Sequence, residues 1–234
     1  MVRPRGFVRV FDNIYVGLQY RFMTSVTTIR FSELAPGPIA PDLPELPILE
    51  VDVDAGLLGL LLKFDSRNSE WTPTSGMLID LQYDIGREKL ANDFNYEVFS
   101  MTFSHYIELK PNHVIAYNAH ICRASEDTPF FDLCLFGSSN TLRGYEAGQY
   151  RDTAMAAIQV EYRWKITKKF GLVAFAGIGA VAGKIGDLGE DGWLPSGGVG
   201  VRYVVSDVFG VNIGADYAWG KNSEAFYLRV GEAF

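Results

Sequence analysis

The stretch Ala156-Ala157-Ile158-Gln159-Val160-Glu161-Tyr162-Arg163-Trp164-Lys165 decides the fold. Ile158, Val160, Tyr162 and Trp164 alternate with Gln159, Glu161, Arg163 and Lys165. A period of two marks a strand with one apolar and one charged face. The pattern recurs downstream, with Val199, Val201 and Tyr203 set against Gly198, Gly200 and Arg202. It continues with Val211, Ile213, Ala215 and Tyr217 against Asn212, Gly214 and Asp216, and closes with Phe226, Leu228, Val230 and Phe234 against Tyr227, Arg229, Gly231 and Ala233. Periodicity alone fits two folds, a soluble sandwich with its apolar face inward or a barrel with lipid outside and charges in the lumen. Aromatic placement favours the barrel. If the chain runs up and down with Phe234 at one rim, Trp164, Tyr203, Phe209 and Phe64 fall at that rim as an interfacial girdle.

Extending the alternation backwards predicts about eleven strands, near 6–11, 14–28, 55–65, 76–86, 94–108, 112–123, 153–166, 170–182, 194–205, 208–219 and 223–234. Connections on the Phe234 side are short, as at Thr167-Lys168-Lys169 and Ser206-Asp207. The opposite side carries 29–54, 87–92, 124–152 and 183–193. Short turns on one rim and long loops on the other are the asymmetry of an outer-membrane barrel. Pro36, Pro38, Pro41, Pro44 and Pro47 cannot donate to a ladder, so 29–54 is expected to be an external loop within one domain spanning 1–234.

Composition agrees: 234 residues, 48% apolar, 14% aromatic and 24 Gly suit one all-β unit. No apolar run approaches the ~18 residues of a membrane helix, whereas several segments reach the about 9–11 of a spanning strand. A net charge of −7 without a basic tract argues against nucleic acid. Cys122 and Cys134, twelve apart, allow a disulfide in an oxidising compartment or two unpaired small residues. After Met1 to Arg5 comes no apolar core of secretory-signal length, and an odd strand count leaves two open edges. The barrel reading therefore expects residues upstream, a leader and about five more strands.

Three constellations bear on chemistry. Thr141-Leu142-Arg143-Gly144-Tyr145 lies in the longest loop, where Gly144 permits a sharp turn between a charged and an aromatic side chain. Gly177-x-Gly179-x-x-x-Gly183 lacks the following helix of a phosphate loop, so no cofactor is expected. His105, His113 and His120 beside Ser100, Ser104 or Ser125 are candidate hydrolase groups, but Ser104 and His105 are neighbours pointing to opposite faces. Strand-face histidines with local hydrogen bonds are the simpler reading, and no cluster has metal-ligand spacing.

On particular residues the chain resembles the BamA/TamA outer-membrane assembly superfamily, or bacterial surface antigen family. These are R-G-Y in the long loop, five strands after it, a terminal aromatic in Phe226-Tyr227-Leu228-Arg229-Val230-Gly231-Glu232-Ala233-Phe234, and Asp65-x-Arg67-Asn68 to Pro73-x-x-Gly76, similar to the family's D-x-R-D…P-x-x-G hairpin. The resemblance covers nearly the whole chain and is nearest to members without POTRA repeats. It implies an antiparallel transmembrane outer-membrane β-barrel of about 16 strands, of which this chain holds the later part. It further implies that loop 124–152 folds into the lumen, where Arg143 pairs with Glu161. The family's second acidic residue lies in F-x-D-x-G, and here the stretch reads Phe175-Ala176-Gly177-Ile178-Gly179, with glycine in place of the aspartate. Gly177 and Gly179 leave room for the loop tip against the wall. Gly231 and the short last strand suit a weakly paired seam, which in the family admits a client strand by β-augmentation.

The implied role is insertion, assembly or translocation of proteins at the outer membrane, without enzymatic activity. Outer-membrane lipid, lipopolysaccharide and client proteins are the expected partners. A passive channel or structural barrel is the alternative, since the mixed-sign set Glu161, Arg163, Lys165, Arg202, Asp216 and Arg229 suits any wet lumen. A lipid-acting enzyme is the third.

Overall fold

A computed structural model describes residues 1–29, 49–137, 141–206 and 209–234, with side chains from 25 to 53 outside the description. Eleven strands form one antiparallel sheet: β1 (Arg5–Phe11), β2 (Ile14–Ile29), β3 (Leu49–Asp65), β4 (Gly76–Gly86), β5 (Tyr96–Lys110), β6 (His113–Ala124), β9 (Ala154–Lys165), β10 (Phe170–Ala182), β11 (Leu194–Ser206), β12 (Val211–Gly220) and β13 (Ser223–Val230). Each pairs with its neighbours in chain order. Two further short strands, β7 (Cys134–Leu135) and β8 (Arg151–Asp152), pair with each other inside the long loop between β6 and β9. Among the described residues β1 and β13 are the open edges of the large sheet.

Which face is buried separates this wall from a soluble sandwich. On β9, Ile158 is 46% exposed and Trp164 42%, while Gln159 and Glu161 are fully buried. The same inversion holds on β13, where Phe226, Leu228 and Val230 stand out and Tyr227 and Arg229 turn in. A sheet that exposes its aliphatic face and encloses its charges is stable in hydrocarbon, where the apolar band meets acyl chains and the ladder satisfies the backbone. Trp164, Phe170, Tyr203 and Phe209 are exposed together at the turn-side rim, with Trp164 stacked on His113 and Phe170 edge-on to Tyr203.

Two boundaries differ from expectation. β3 begins at Leu49, so 49–54 pairs with β2 and is not loop; Glu50 to Asp54 alternates acidic and apolar residues, a strand signal masked by the adjacent prolines. The proline-rich segment itself lies outside the described residues. The last strand stops at Val230 rather than running to Phe234. Gly231 adopts φ 83°, and the chain leaves the sheet there. Its amide donates to the Asn212 carbonyl at 2.8 Å, and Ala233 is buried.

Candidate functional site in the lumen

Residues 124–137 and 141–152 of the long loop pack against the inner face of the wall. A disulfide joins Cys122 on β6 to Cys134 on β7, pinning the base of the loop to the wall. The Phe136 amide donates to the Tyr150 carbonyl and the Gly148 amide to Phe136, both at 2.9 Å, so the two limbs run paired. Phe136, Tyr145 and Tyr150 meet edge to face, and with Leu142 and Met155 they form an apolar core inside the barrel.

At the loop tip Arg143 is completely buried. Its Nη2 donates to Glu161 Oε2 on β9 at 2.5 Å and its Nη1 to Asp216 Oδ2 on β12 at 2.7 Å. Nε donates to Gln159 Oε1 at 3.2 Å, and the guanidinium carbon sits 3.4 Å from the centroid of the Phe175 ring. A planar fork with both arms on carboxylates and a ring beneath it suits arginine, and lysine cannot reproduce it. The second carboxylate that position 177 lacks is thus supplied by Asp216, two strands further along the wall. A Cβ at Gly177 would stand 2.4 Å from Leu142 and one at Gly179 would stand 2.5 Å from Phe136, so these glycines admit the loop's apolar side chains against β10.

The rest of the triplet reaches the last hairpin. The Gly144 amide donates to the Tyr227 hydroxyl on β13 at 3.0 Å, with φ 105°. The Tyr145 hydroxyl donates to the Pro195 carbonyl at 2.5 Å and accepts from the Lys221 amide at 2.9 Å. Around the tip, three carboxylates interleave with four guanidiniums. Asp216 also receives Arg202 Nη1 at 2.5 Å and faces Arg229 Nε at 3.0 Å. The latter contact is ionic without hydrogen-bond alignment, and among the described residues Arg229 Nη2 has no hydrogen-bond partner. Glu161 takes Arg163 Nε at 2.6 Å, and Glu232 takes Arg202 Nε at 2.7 Å.

A second anchor carried no sequence signal. Asp132, buried in the descending limb of the loop, accepts from Arg21 Nη2 on β2 at 2.5 Å and from the Tyr96 hydroxyl on β5. The loop therefore bridges the lumen, with one end on β2 and β5 and the other on β9, β11, β12 and β13. The alternation placed Asp216 and Tyr227 on the inner face without naming their loop partners. Asp132 and Arg21 are ordinary charges in the sequence and meet only through the fold.

The Asp65 hairpin between β3 and β4 is held by local bonds. Asp65 accepts from Arg67 Nε at 2.9 Å and Nη2 at 2.8 Å, and this bond raises the Arg67 guanidinium above its ordinary pKa. Asn68 Oδ1 accepts from the Thr74 and Ser75 amides. Gly76 has φ 92°, and a Cβ there would stand 2.2 Å from the Ser66 carbonyl oxygen. Pro73 is buried against Arg163, which donates to its carbonyl at 3.1 Å. Four of the six candidate hydrolase groups are engaged elsewhere: Ser104 accepts from Asn118, Ser125 accepts from the Glu97 amide, His120 bonds Thr102, and His113 bonds Tyr162.

An antiparallel wall with an apolar outside, an interfacial aromatic rim and a charged inside threaded by a long loop defines an outer-membrane β-barrel. The Omp85 superfamily domain matches residues 52–234, and the chain belongs to that superfamily. Among solved structures it is similar to BamA from Haemophilus ducreyi lacking POTRA domains 1-3, with TM-score 0.70 and 15% identity. The match covers 97% of this chain and 52% of that one, so this chain spans about half the length of its structural relative. No curated protein sequence matches.

Proposed function

We propose that this chain is the closing part of a barrel that inserts or translocates proteins at the outer membrane, and that loop 124–152 holds the barrel in its working shape. The observation that carries the reading is the buried fork of Arg143. It joins the loop tip to Glu161 and Asp216 and, through the next two residues, to the hairpin ending in the open edge β13. An edge whose position depends on a lumen loop is suited to receiving a further strand by β-augmentation, while the outer face rests against membrane lipid and lipopolysaccharide. A passive channel is less well supported because Phe136, Leu142, Arg143 and Tyr145 of the loop are buried against the inner wall rather than leaving it lined by wall side chains alone. An enzymatic role is less well supported because two of the three candidate serines, Ser104 and Ser125, are engaged by Asn118 and the Glu97 amide.

The test uses the full-length protein in lipid vesicles, with a urea-unfolded client barrel added and its folding followed by gel migration without heating. Faster client folding than in empty vesicles, lost in Arg143→Ala, supports the reading. Equal folding in both overturns it. Conductance in a planar bilayer that rises on deleting residues 136–148, with no effect on client folding, would favour the channel.

A further inference from the structure

The hairpin from Ser66 to Ser75 does not hang free below its own strands. It reaches the far side of the wall: Thr72 Oγ1 donates to the Gly210 carbonyl at 2.9 Å, beside the start of β12, and the Trp71 carbonyl accepts from the Glu232 amide at 3.0 Å. From the last strand, the chain after Gly231 turns inward to meet it. Glu232 binds Arg202 Nε at 2.7 Å and Asn212 Nδ2 at 2.6 Å. One buried side chain joins the two pieces to the wall. Arg163 donates to the Pro73 carbonyl at 3.1 Å and the Phe234 carbonyl at 3.0 Å while its Nε holds Glu161, with the Tyr106 and Phe234 ring centroids 5.5 and 5.6 Å from its guanidinium carbon. Behind the hairpin lies a cavity of about 290 Å³ lined by Val114, Arg163, Val173, Arg202, Asn212 and Glu232, among others.

We infer that hairpin 66–75 and tail 231–234 form a two-piece lid across the turn-side mouth of the lumen, latched to the wall by Arg163. Three features separate a lid from a chance contact. The hairpin is stiffened internally through Asp65, Arg67 and Asn68, so it can project across the mouth as a unit. Its bonds to the wall and tail are mostly to backbone carbonyls and amides, so they can be released and remade without stranding a carboxylate. The latching cation is also paired with Glu161, the carboxylate held by Arg143, so the loop at one level and the lid at the other share one buried acid. A change at the loop tip is therefore felt at the mouth. The inference rests on the barrel fold and not on insertion activity.

The test places a reporter behind the lid. Val114→Cys in the full-length protein, reconstituted in vesicles, is labelled with a charged, membrane-impermeant methanethiosulfonate, while Cys122 and Cys134 stay oxidised and silent. Two variants carry the reporter, Arg163→Gln and a hairpin shortened by replacing residues 69–74 with Gly-Gly, which leaves the wall's ion pairs in place. Loss of a charge-assisted latch is expected to speed labelling about tenfold or more in each. Heat-modifiable gel migration reports folding, and client insertion is measured separately, so failure of that activity leaves this result standing. Labelling at the parent rate in a folded shortened variant overturns the lid. Failure of that variant to fold also overturns it, since the hairpin would then belong to the wall. If Arg163→Gln alone fails to fold, the shortened hairpin decides.

Discussion

Arg143 shows how much one buried guanidinium is asked to do. With Glu161 and Asp216 both fully buried, removing the cation leaves Glu161 with Arg163 and Asp216 with Arg202 and Arg229, so the cost lies below the about 3–5 kcal/mol of a buried charge left wholly unpaired. Arg143→Ala is expected to lower the denaturant midpoint of heat-modifiable migration, and Arg143→Lys to fall between it and the parent because one ammonium cannot span both acids. The second acid also alters what a charge swap does. A single pair would be restored by exchanging Arg143 and Glu161, but here Asp216 would face the new glutamate, so the double variant should remain destabilised. Full recovery would remove Asp216 from the account. Gly144 is constrained twice, by φ 105° and by the Trp219 backbone, whose C and O atoms a Cβ would approach to 2.8 Å. Gly144→Ala should cost about 1–3 kcal/mol in the same measurement.

At the scale of elements, loop 124–152 is a strut with two feet. Its Asp132 foot stands on β2 and β5, and its Arg143 foot on β9 and β12. The disulfide holds the descending limb where it leaves β6, and closing a loop of this length contributes roughly 3 kcal/mol in the chain-entropy account. Reduction is therefore expected to loosen the strut without unravelling the wall. Circular dichroism should retain its strand signal after dithiothreitol, while limited proteolysis should begin to cut between 124 and 152. Loss of strand signal on reduction would mean that the loop is needed to keep the sheet formed. The strands themselves were legible because alternation is a local property, and their ends agree with the alternation to within a few residues along most of the chain. The exceptions have local causes. Prolines hid the start of β3, and Gly231 turned the last residues out of a pattern they still follow in sequence.

For the whole molecule, the governing fact is that the outer face bears Ile158, Val160, Ile213 and Leu228 while the inner face bears the ions. Placing arginine at Val160, midway along β9 on that face, should cost about 2–4 kcal/mol in vesicles if the site lies near the midplane. The same change at Glu224, already polar at the far end of β13, should cost little. Folding yield into vesicles of increasing acyl length measures both, and equal tolerance at the two positions would place the outer face in water. The open edges β1 and β13 run in the same direction, because an odd number of antiparallel strands lies between them. Among the described strands, a single antiparallel ladder therefore cannot join these two edges directly.

The sequence by itself determined the strand grammar, the lipid-facing alternation, the loop that carries Arg143 and one of its two acids, because each is written in neighbouring residues or in a short motif. Only the tertiary structure decided that Asp216 completes the fork, that Asp132 meets Arg21, and that Arg163 joins the hairpin between β3 and β4 to the tail after β13. Those contacts link residues from 71 to 111 positions apart. Their partners are chosen by how the sheet curls and not by any spacing along the chain.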